Sequence, residues 1–238
     1  MEKLQDALAS RARERDADYF GIADLAPARQ FITSQGGEFL GRFPRAVSVG
    51  VRLPEGIVDE LPRHRQPAVA LTYDYTAYTI VNGTLDRITL ALSRILQAGG
   101  YLALAVPSTQ TVDKTRLRGL FSQKLAAHLA GLGWIGKSCL LITPDHGPRV
   151  RWATVLTDAP LEPGAPLAQR CGTCKLCVEA CPTQAFTGAG FVESEPREAR
   201  FNAHACEAYR AEMSKTTGVR TCGMCVYVCP YGRRKTDE

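Results

Sequence analysis

Hydrophobic residues recur at helical spacing in three stretches of the chain. The first covers residues 3–15, the second ends near Ala98, and the third runs from about residue 115 to 132. Apolar residues three and four positions apart line one face of an α-helix. In the second and third stretches these residues are Leu85, Ile88, Leu92, Ile95 and Leu96, and Leu117, Phe121, Leu125 and Leu129. The pattern predicts three amphipathic helices, and a further helical segment from about residue 27 to 40. Asn82-Gly83 is a candidate break in the second.

Shorter apolar or alternating runs lie between these helices and predict strands. They cover residues 19–23, 46–51, 101–106, 139–143 and 150–156. The loop through Gly147 and Pro148 makes the last two strands a candidate hairpin. Because helices and strands are interspersed up to about residue 165, the pattern indicates a mixed α/β domain.

A change in composition marks the end of this domain. Residues 158–169 contain Pro160, Pro163, Gly164 and Pro166, which is typical of a linker. We therefore predict an α/β domain over residues 1–165 and a small domain over residues 166–238. Eight of the nine cysteines lie in the small domain, so metal binding is expected to supply much of its order.

A spaced run of cysteines is the strongest chemical signal in the chain. The run Cys171-x2-Cys174-x2-Cys177-x3-Cys181-Pro has the spacing by which bacterial ferredoxins hold [4Fe–4S] clusters. In that spacing the first three thiolates bind one cluster and the fourth binds a second. A later run, Cys222-x2-Cys225-x3-Cys229-Pro, repeats the ending without its first cysteine. The motif therefore predicts two clusters, with Cys206 as the natural replacement for the missing ligand.

Crosswise sharing of the fourth ligand assigns four thiolates to each cluster. Cluster 1 is predicted to be bound by Cys171, Cys174, Cys177 and Cys229. Cluster 2 is predicted to be bound by Cys181, Cys206, Cys222 and Cys225. Two alternatives fit the spacing less well, since zinc prefers two separated C-x2-C pairs and disulfides need an oxidising compartment. The ninth cysteine, Cys139, is expected to be a buried, inert thiol.

The charge and hydropathy of the chain bear on its partners and compartment. The formal net charge of +5 could suggest nucleic acid. Two oxidised clusters with their thiolates would each contribute 2−, however, and would lower the net charge to about +1. No apolar run approaches the roughly 20 residues that cross a bilayer, and the charged N-terminal region has no secretory signal pattern. A cytoplasmic protein without membrane contact is expected, and basicity alone does not favour RNA.

The stretch Gly131–Ser138 matches the phosphate-binding pattern G-x4-G-K-[ST]. A phosphate-binding loop needs a strand before it and a helix after it, so that the helix N-terminus faces the phosphates. Here a predicted helix precedes the pattern and a predicted strand follows it. The interpretation is a helix that stops at Gly131 or Gly133, followed by a loop with an exposed Trp134 and Lys137. Nucleotide binding is not expected.

From about residue 125 to 231 the chain resembles the epoxyqueuosine reductase family. The resemblance lies in Gly131–Lys137, Leu140–Ile142, Val155–Leu161, Cys171–Thr183, Cys206 and Cys222–Pro230. It implies an α+β fold, with a nitroreductase-like mixed α/β domain of the corrinoid-processing type followed by a bacterial ferredoxin-like domain. In this family and in the related reductive dehalogenases, the α/β domain binds cobalamin and two [4Fe–4S] clusters deliver electrons to its cobalt.

The resemblance also suggests candidate site residues. Trp134, Gly136 and Lys137 are candidate corrinoid contacts because they lie in the matching glycine-rich loop, and Tyr75 and Tyr78 are candidates for a flat aromatic surface beside the ring. Counting back along the chain, the catalytic aspartate of the tRNA-modifying members falls on Leu117. Asp113 is the nearest acidic candidate, and placing it there requires a gap.

These observations together predict an iron–sulfur oxidoreductase. Electrons from a ferredoxin- or flavodoxin-type donor would pass through both clusters to a corrinoid cobalt, in the same chain or on a partner such as a corrinoid protein or methyltransferase. A tRNA partner is not expected. Two alternatives remain open: a plain two-cluster electron carrier without corrinoid, and a tRNA epoxyqueuosine reductase whose acid has moved, for instance to Asp113.

Overall fold

The computed structural model describes residues 2–233, which form two compact units. The first, here the α/β unit, comprises residues 2–51, 81–133 and 151–167. The second, here the cluster unit because it holds the eight predicted cluster ligands, comprises residues 52–80, 134–150 and 168–233. The cluster unit thus includes two segments that precede residue 165. The domain boundary at that residue stays a prediction.

Strands and helices are mixed along the described chain. The strands are β1 (Tyr19–Asp24), β2 (Arg45–Arg52), β3 (Ala103–Val106), β4 (Trp134–Ile135), β5 (Leu141–Ile142) and β6 (Val150–Thr157). The helices are α1 (Glu2–Arg13), α2 (Arg29–Gly36), α3 (Glu55–Asp59), α4 (Pro67–Asp74), α5 (Asn82–Ala98), α6 (Gln123–Leu129), α7 (Leu176–Glu179), α8 (Ala203–Thr217) and α9 (Met224–Tyr227). A π-helical segment, Tyr75–Val81, joins α4 to α5. Short 3-10 turns cover Glu38–Arg42, Leu61–Arg63, Arg197–Ala199 and Pro230–Gly232.

A four-stranded sheet of order β1-β2-β6-β3 forms the centre of the α/β unit. Strand β1 is antiparallel to β2, and β3 is antiparallel to β6. Helix α5 packs against α1 and β3, and α6 packs against β1. The predicted apolar face of α5 is confirmed, since four of its residues are fully buried: Leu85, Ile88, Leu92 and Leu96.

The predicted helix from residue 115 to 132 is wrong in its first half. Helix α6 begins only at Gln123, because residues 113–118 form a turn instead. The Asp113 carboxylate accepts the backbone N–H of Arg116 at 2.8 Å, and Leu117 has a φ of +52°. An aspartate that binds backbone groups locally competes with helix formation. The predicted stop is confirmed at Gly131, where φ is +78° and the N–H bonds to the His128 carbonyl.

Two further sequence expectations are corrected. The predicted hairpin of β5 with β6 does not form; β5 pairs antiparallel with β4, with Trp134 opposite Ile142, while β6 lies between β2 and β3. Asn82-Gly83 does not break the helical region, since the π-helical segment continues directly into α5. The Asn82 side chain is held by Thr109 and Arg151 instead.

The cluster unit is built from short elements. Strands β4 and β5 make a small two-stranded sheet, α4 packs against α8, and α7 packs against α9. With so few long elements, much of the order of this unit must come from loops and from the groups that they bind. In the part of the chain that the structure describes, no helix is both long and apolar enough to cross a membrane.

Candidate iron-sulfur centres

The two cysteine motifs fold in the same way. Each has a short loop followed by a single helical turn, which is α7 with Cys177 in the first motif and α9 with Cys225 in the second. Gly172 and Gly223 lie in these loops with φ of +47° and +81°, a conformation that glycine adopts without strain. Cys206 comes from a different element, the first turn of α8, whose N-terminus is capped by the Asn202 side chain. The ligand missing from the second motif can therefore be supplied by a helix.

The thiols predicted for cluster 1 lie close enough together to influence one another. Burial, and then the charges of Cys171 and Cys174, raise the pKa of Cys177 to about 11. Burial also raises the pKa of Cys229 to about 11, with further contributions from Cys171, Cys177 and Cys174. Cys229 belongs to the second motif by sequence, yet its neighbours are the first three cysteines of the other motif. This is the neighbourhood that crosswise ligation requires.

The remaining four thiols form a second such group. Burial is the main cause that raises the pKa of Cys206, Cys222 and Cys225. Cys181 also raises all three of these pKa values, although it lies in the first motif by sequence. Cys225 is affected by Cys177 as well, so the two groups are adjacent within the cluster unit.

A cavity opens onto the four cluster 1 thiols. Its empty volume is about 380 Å³, part of it open to solvent. Gly136 also lines it, and a Cβ added there would lie 3.4 Å from the Cys171 sulfur. Four thiol donors around one cavity, with a glycine in close approach, fit a [4Fe–4S] cluster. In residues 2–233 no three His, Cys, Asp or Glu side chains could share a single metal ion. The division into two ligand sets stays a prediction that rests on the motifs and these neighbourhoods.

Trp134 and Lys137 do not have the exposed positions that the sequence analysis expected. Their exposed fractions are 1% and 9%. The Trp134 indole N–H donates to the Cys171 sulfur at 3.5 Å, and the Lys137 ammonium donates to the carbonyls of Gly172 and Cys174 at 2.6 and 3.1 Å. Both side chains are directed at the cluster 1 loop, because the β4–β5 turn that carries them packs against it. Corrinoid contact by Trp134, Gly136 and Lys137 stays a prediction.

Tyr75 and Tyr78 lie on the π-helical segment after α4. Tyr75 is 61% exposed, whereas Tyr78 is partly buried and Tyr73 is buried. Two large apolar side chains near Tyr75 in sequence, Leu71 and Ile80, are also about half exposed. A π-helical turn is rare and frequently marks a functional site. The segment therefore keeps its candidate role in corrinoid binding.

Asp113, the candidate catalytic acid, lies in the α/β unit. Its carboxylate is engaged in the local turn with Arg116, and its backbone pairs with Arg118. A carboxylate that accepts a backbone hydrogen bond in this way has its side chain held in place by the turn. Its role as a proton donor stays a prediction.

Two pairs of polar side chains in the cluster unit were missed from the sequence. His64 is buried, with one ring nitrogen 2.9 Å from the Leu61 carbonyl and the other 2.8 Å from the Tyr209 hydroxyl, and burial lowers its pKa. Arg200 is also buried and lies 3.8 Å from the sulfur of Cys139, which is buried as expected. No local spacing signals these pairs, because their members are far apart in sequence.

Loss of iron is expected to become faster as the pH falls. In the metal-free protein the pKa values of Cys177 and Cys229 are about 11, so both thiols keep their protons near neutral pH. A cluster binds thiolates, so protons compete with iron, and cluster affinity should rise with pH throughout the range below these pKa values. At saturating chelator, cluster absorption should decay faster at about pH 6.5 than at about pH 8.5. A rate that is constant or rises with pH over that interval would contradict this.

A family model and curated relatives match parts of the chain. The model of the 4Fe-4S double cluster binding domain matches residues 170–232. The epoxyqueuosine reductase of Listeria monocytogenes is 34% identical over 125 residues, which cover 48% of this chain and 31% of the relative. That of Synechocystis is 36% identical over 128 residues, covering 49% of this chain and 41% of the relative. The matched segments thus span less than half of each curated relative.

Solved structures share the fold over nearly the whole chain. A crystal structure of epoxyqueuosine reductase with a tRNA stem loop has a TM-score of 0.63 at 18% identity, covering 97% of this chain and 66% of that one. A catabolic reductive dehalogenase has a TM-score of 0.72 at 18% identity, covering 98% of this chain and 32% of that one. The predicted fold class is confirmed at this level: a mixed α+β domain followed by a double-cluster, ferredoxin-like domain. The chain thus carries a 4Fe–4S double cluster binding domain, is similar in sequence to epoxyqueuosine reductases over about half of its length, and has the fold common to epoxyqueuosine reductases and reductive dehalogenases.

Proposed function

We propose that this protein is an iron–sulfur oxidoreductase that passes electrons through two [4Fe–4S] clusters to the cobalt of a corrinoid, bound by its own α/β unit or by a partner protein. One observation carries the proposal: within the double cluster binding domain, Cys229 of the second motif lines the same cavity as Cys171, Cys174 and Cys177 of the first. The fold supports the proposal as well. A reductive dehalogenase with this fold has a structure that suggests a mechanism for B12-dependent dehalogenation.

The cysteines of the chain would hold the clusters and keep them close to each other. Cys229 and Cys181 each lie among the thiols of the opposite motif, so each cluster would tie both motifs together. Cys177 and Cys225 are neighbours, which favours rapid electron transfer between the two sites. When bound, the clusters supply one-electron transfer at potentials that reach about −700 mV, which suits a demanding reduction such as that of cobalt. A ferredoxin- or flavodoxin-type protein is the proposed electron donor.

The α/β unit has features that suit a polar, flat ligand. Its buried polar atoms without a hydrogen-bond partner in residues 2–233 include Ser48 Oγ, Trp152 Nε1 and Thr154 Oγ1. They share the sheet face of Ala46 and Leu156, which belong to one core cluster, because side chains two or four positions apart on a strand point to the same side. Buried polar groups normally have partners, and the amide side chains of a corrin ring could provide them.

The reduction of a tRNA epoxide is not part of the proposal. That chemistry needs an acid to protonate the opening ring, and the nearest candidate, Asp113, already accepts a hydrogen bond within its own turn. The acceptor that we propose is therefore the corrinoid itself, which requires no protein acid.

Anaerobic titration of the iron-loaded protein with cobalamin tests the proposal. We expect binding of one equivalent, with the spectrum of a corrinoid whose lower base has left cobalt, and reduction of the cobalt when a low-potential donor is added. Thr154→Val removes only the unpartnered hydroxyl, so weaker binding by this variant at unchanged iron content would locate the corrinoid in the α/β unit.

Other outcomes of this titration, and a separate complementation test, would favour the alternatives. A full complement of iron with no cobalamin bound, and no reduction of an added corrinoid protein, would favour a plain electron carrier. Restoration of queuosine in a strain that lacks the tRNA enzyme would favour an epoxyqueuosine reductase. Loss of that restoration in Asp113→Asn would then identify the displaced acid.

A further inference from the structure

Lys137 is a buried cation at the edge of the cluster 1 cavity. Its side chain is 9% exposed, and its ammonium donates to the carbonyls of Gly172 and Cys174 at 2.6 and 3.1 Å. Among residues 2–233 no carboxylate forms an ion pair with it. The two carbonyls provide partial charges only, so the full positive charge of this side chain is not balanced by an acidic residue in the described chain.

Burial of an uncompensated charge is costly, so such a group is normally paired with a counter-charge. The carbonyls that hold Lys137 belong to the loop that begins at Cys171 and carries the first cluster 1 thiols. Four thiolates around an oxidised cluster make a site of net charge 2−. Cluster 1 is therefore the anion that lies in position to balance the charge of Lys137.

Trp134 makes a second contact that favours negative charge at cluster 1. Its indole is 1% exposed, and its N–H donates to the Cys171 sulfur at 3.5 Å. The ring is fixed by an edge contact with Tyr231, at 4.8 Å between ring centroids. Tyr231 in turn donates its hydroxyl hydrogen to the Arg170 carbonyl at 3.0 Å. A hydrogen bond to a ligand sulfur stabilises negative charge on that sulfur.

We propose that Lys137 and Trp134 set the reduction potential of cluster 1, with Lys137 as its built-in counter-charge. Reduction adds one electron from a low-potential donor and takes the net charge of the site from 2− to 3−, while no bond breaks and no proton moves. A nearby cation and a hydrogen-bond donor stabilise the more negative state more strongly, and so raise the potential. This proposal rests on the assignment of cluster 1 to its four cysteines and does not require a corrinoid.

The proposal also explains the stretch that imitates a phosphate-binding loop. In that pattern the lysine faces phosphate oxygens; here it faces the carbonyl oxygens of the cluster loop. Cluster 2 has two cations near its predicted ligands, Arg210 and the exposed Arg65. Arg210 pairs with Glu207 at 3.0 Å, however, and its side chain is 31% exposed. Pairing and solvent reduce their effects, so the counter-charge of Lys137 should act on cluster 1 more strongly.

The test is a redox titration of the iron-loaded full chain, followed by EPR, with dithionite as reductant and no cobalamin present. In Lys137→Met we expect one cluster to become at least tenfold harder to reduce, which is about 59 mV for a one-electron couple, while the other cluster is unchanged. Lys137→Arg should keep most of the original potential, and Trp134→Phe should give a smaller shift of the same cluster in the same direction. The shift should persist in Cys206→Ala, which is expected to retain cluster 1.

Lys175→Met is the matched control. Lys175 lies between two cluster 1 ligands in sequence but is exposed to solvent, so water and salt screen its charge and little change is expected. An unchanged potential in Lys137→Met at full iron content overturns the proposal. If Lys137→Met loses iron instead, retention in Lys137→Arg supports the counter-charge, and equal loss in both variants shows a packing role and overturns it. Because cobalamin is absent, a failure to bind corrinoid would not affect this result.

Discussion

Replacement of Cys206 by alanine is expected to remove one cluster and leave the other, so that the iron content falls by about half. Cys206 lies on helix α8, outside both C-x2-C loops, yet Cys222 and Cys181 affect its pKa as close neighbours do. Cluster 2 would lose one of four thiolates, and the buried site has no other cysteine to replace it. Cluster 1 would keep all of its ligands. Iron and sulfide analysis, with EPR of the reduced protein, measures this effect.

Cys181→Ala provides the sharper part of this test, because it separates crosswise from sequential ligation. If the fourth cysteine of the first motif binds cluster 2, Cys181→Ala and Cys206→Ala should lose the same EPR signal. If ligation is sequential, Cys181→Ala should resemble Cys171→Ala instead. Cys139→Ala is the matched control, since this buried cysteine lies outside both groups of thiols. An iron content equal to that of the unmodified protein in Cys206→Ala would refute the assignment.

The double cluster binding domain could be predicted from the sequence because the relevant information is local. Spacing within Cys171–Cys181 and Cys222–Cys229 dictates which thiols can reach one cluster, and the missing ligand leaves Cys206 as the single candidate nearby. The apolar face of α5 is predicted for the same reason, since burial of one helix face requires a fixed period. In both cases the spacing along the chain is itself the physical constraint.

Two of the wrong predictions failed for different reasons, the first because of a short-range hydrogen bond and the second because of contacts with distant residues. The apolar period around Leu117 indicated a helix, but the Asp113 side chain closes a turn there and delays the start of α6 until Gln123. Trp134 and Lys137 were expected to be exposed because they follow a helix stop. Their burial depends on Cys171, Gly172 and Cys174, more than thirty positions later in the sequence. No local pattern encodes such contacts.

Replacement of Gly136, in the buried β4–β5 turn, by alanine is expected to disturb the packing of the turn against cluster 1. A Cβ at this position would lie 2.7 Å from Cγ1 of Ile142 and 3.4 Å from the Cys171 sulfur. Ile142 is 2% exposed and has little room to move. The backbone of Gly136 is also fixed, since its N–H bonds to the Leu140 carbonyl and its carbonyl accepts from Cys139. Gly136→Ala should therefore overpack the turn, at a cost of about 1–3 kcal/mol, and displace the Cys171 side of cluster 1.

We expect Gly136→Ala to lower the melting temperature and to speed the loss of cluster 1 iron to a chelator, while the cluster 2 signal persists. Gly56→Ala is the matched control in the same unit, because a Cβ there meets no atom within 4 Å and α3 should be stabilised by up to about 1 kcal/mol. The double variant Gly136→Ala/Ile142→Ala removes the clashing Cγ1 and should recover cluster 1 retention, although Ile142→Ala alone leaves a cavity. An iron retention and a melting temperature of Gly136→Ala equal to those of the unmodified protein would contradict this expectation. They would show that the cavity wall at Gly136 can accommodate a Cβ. Recovery in the double variant would instead show that cluster 1 depends on close packing between the β4–β5 turn and the Cys171 loop.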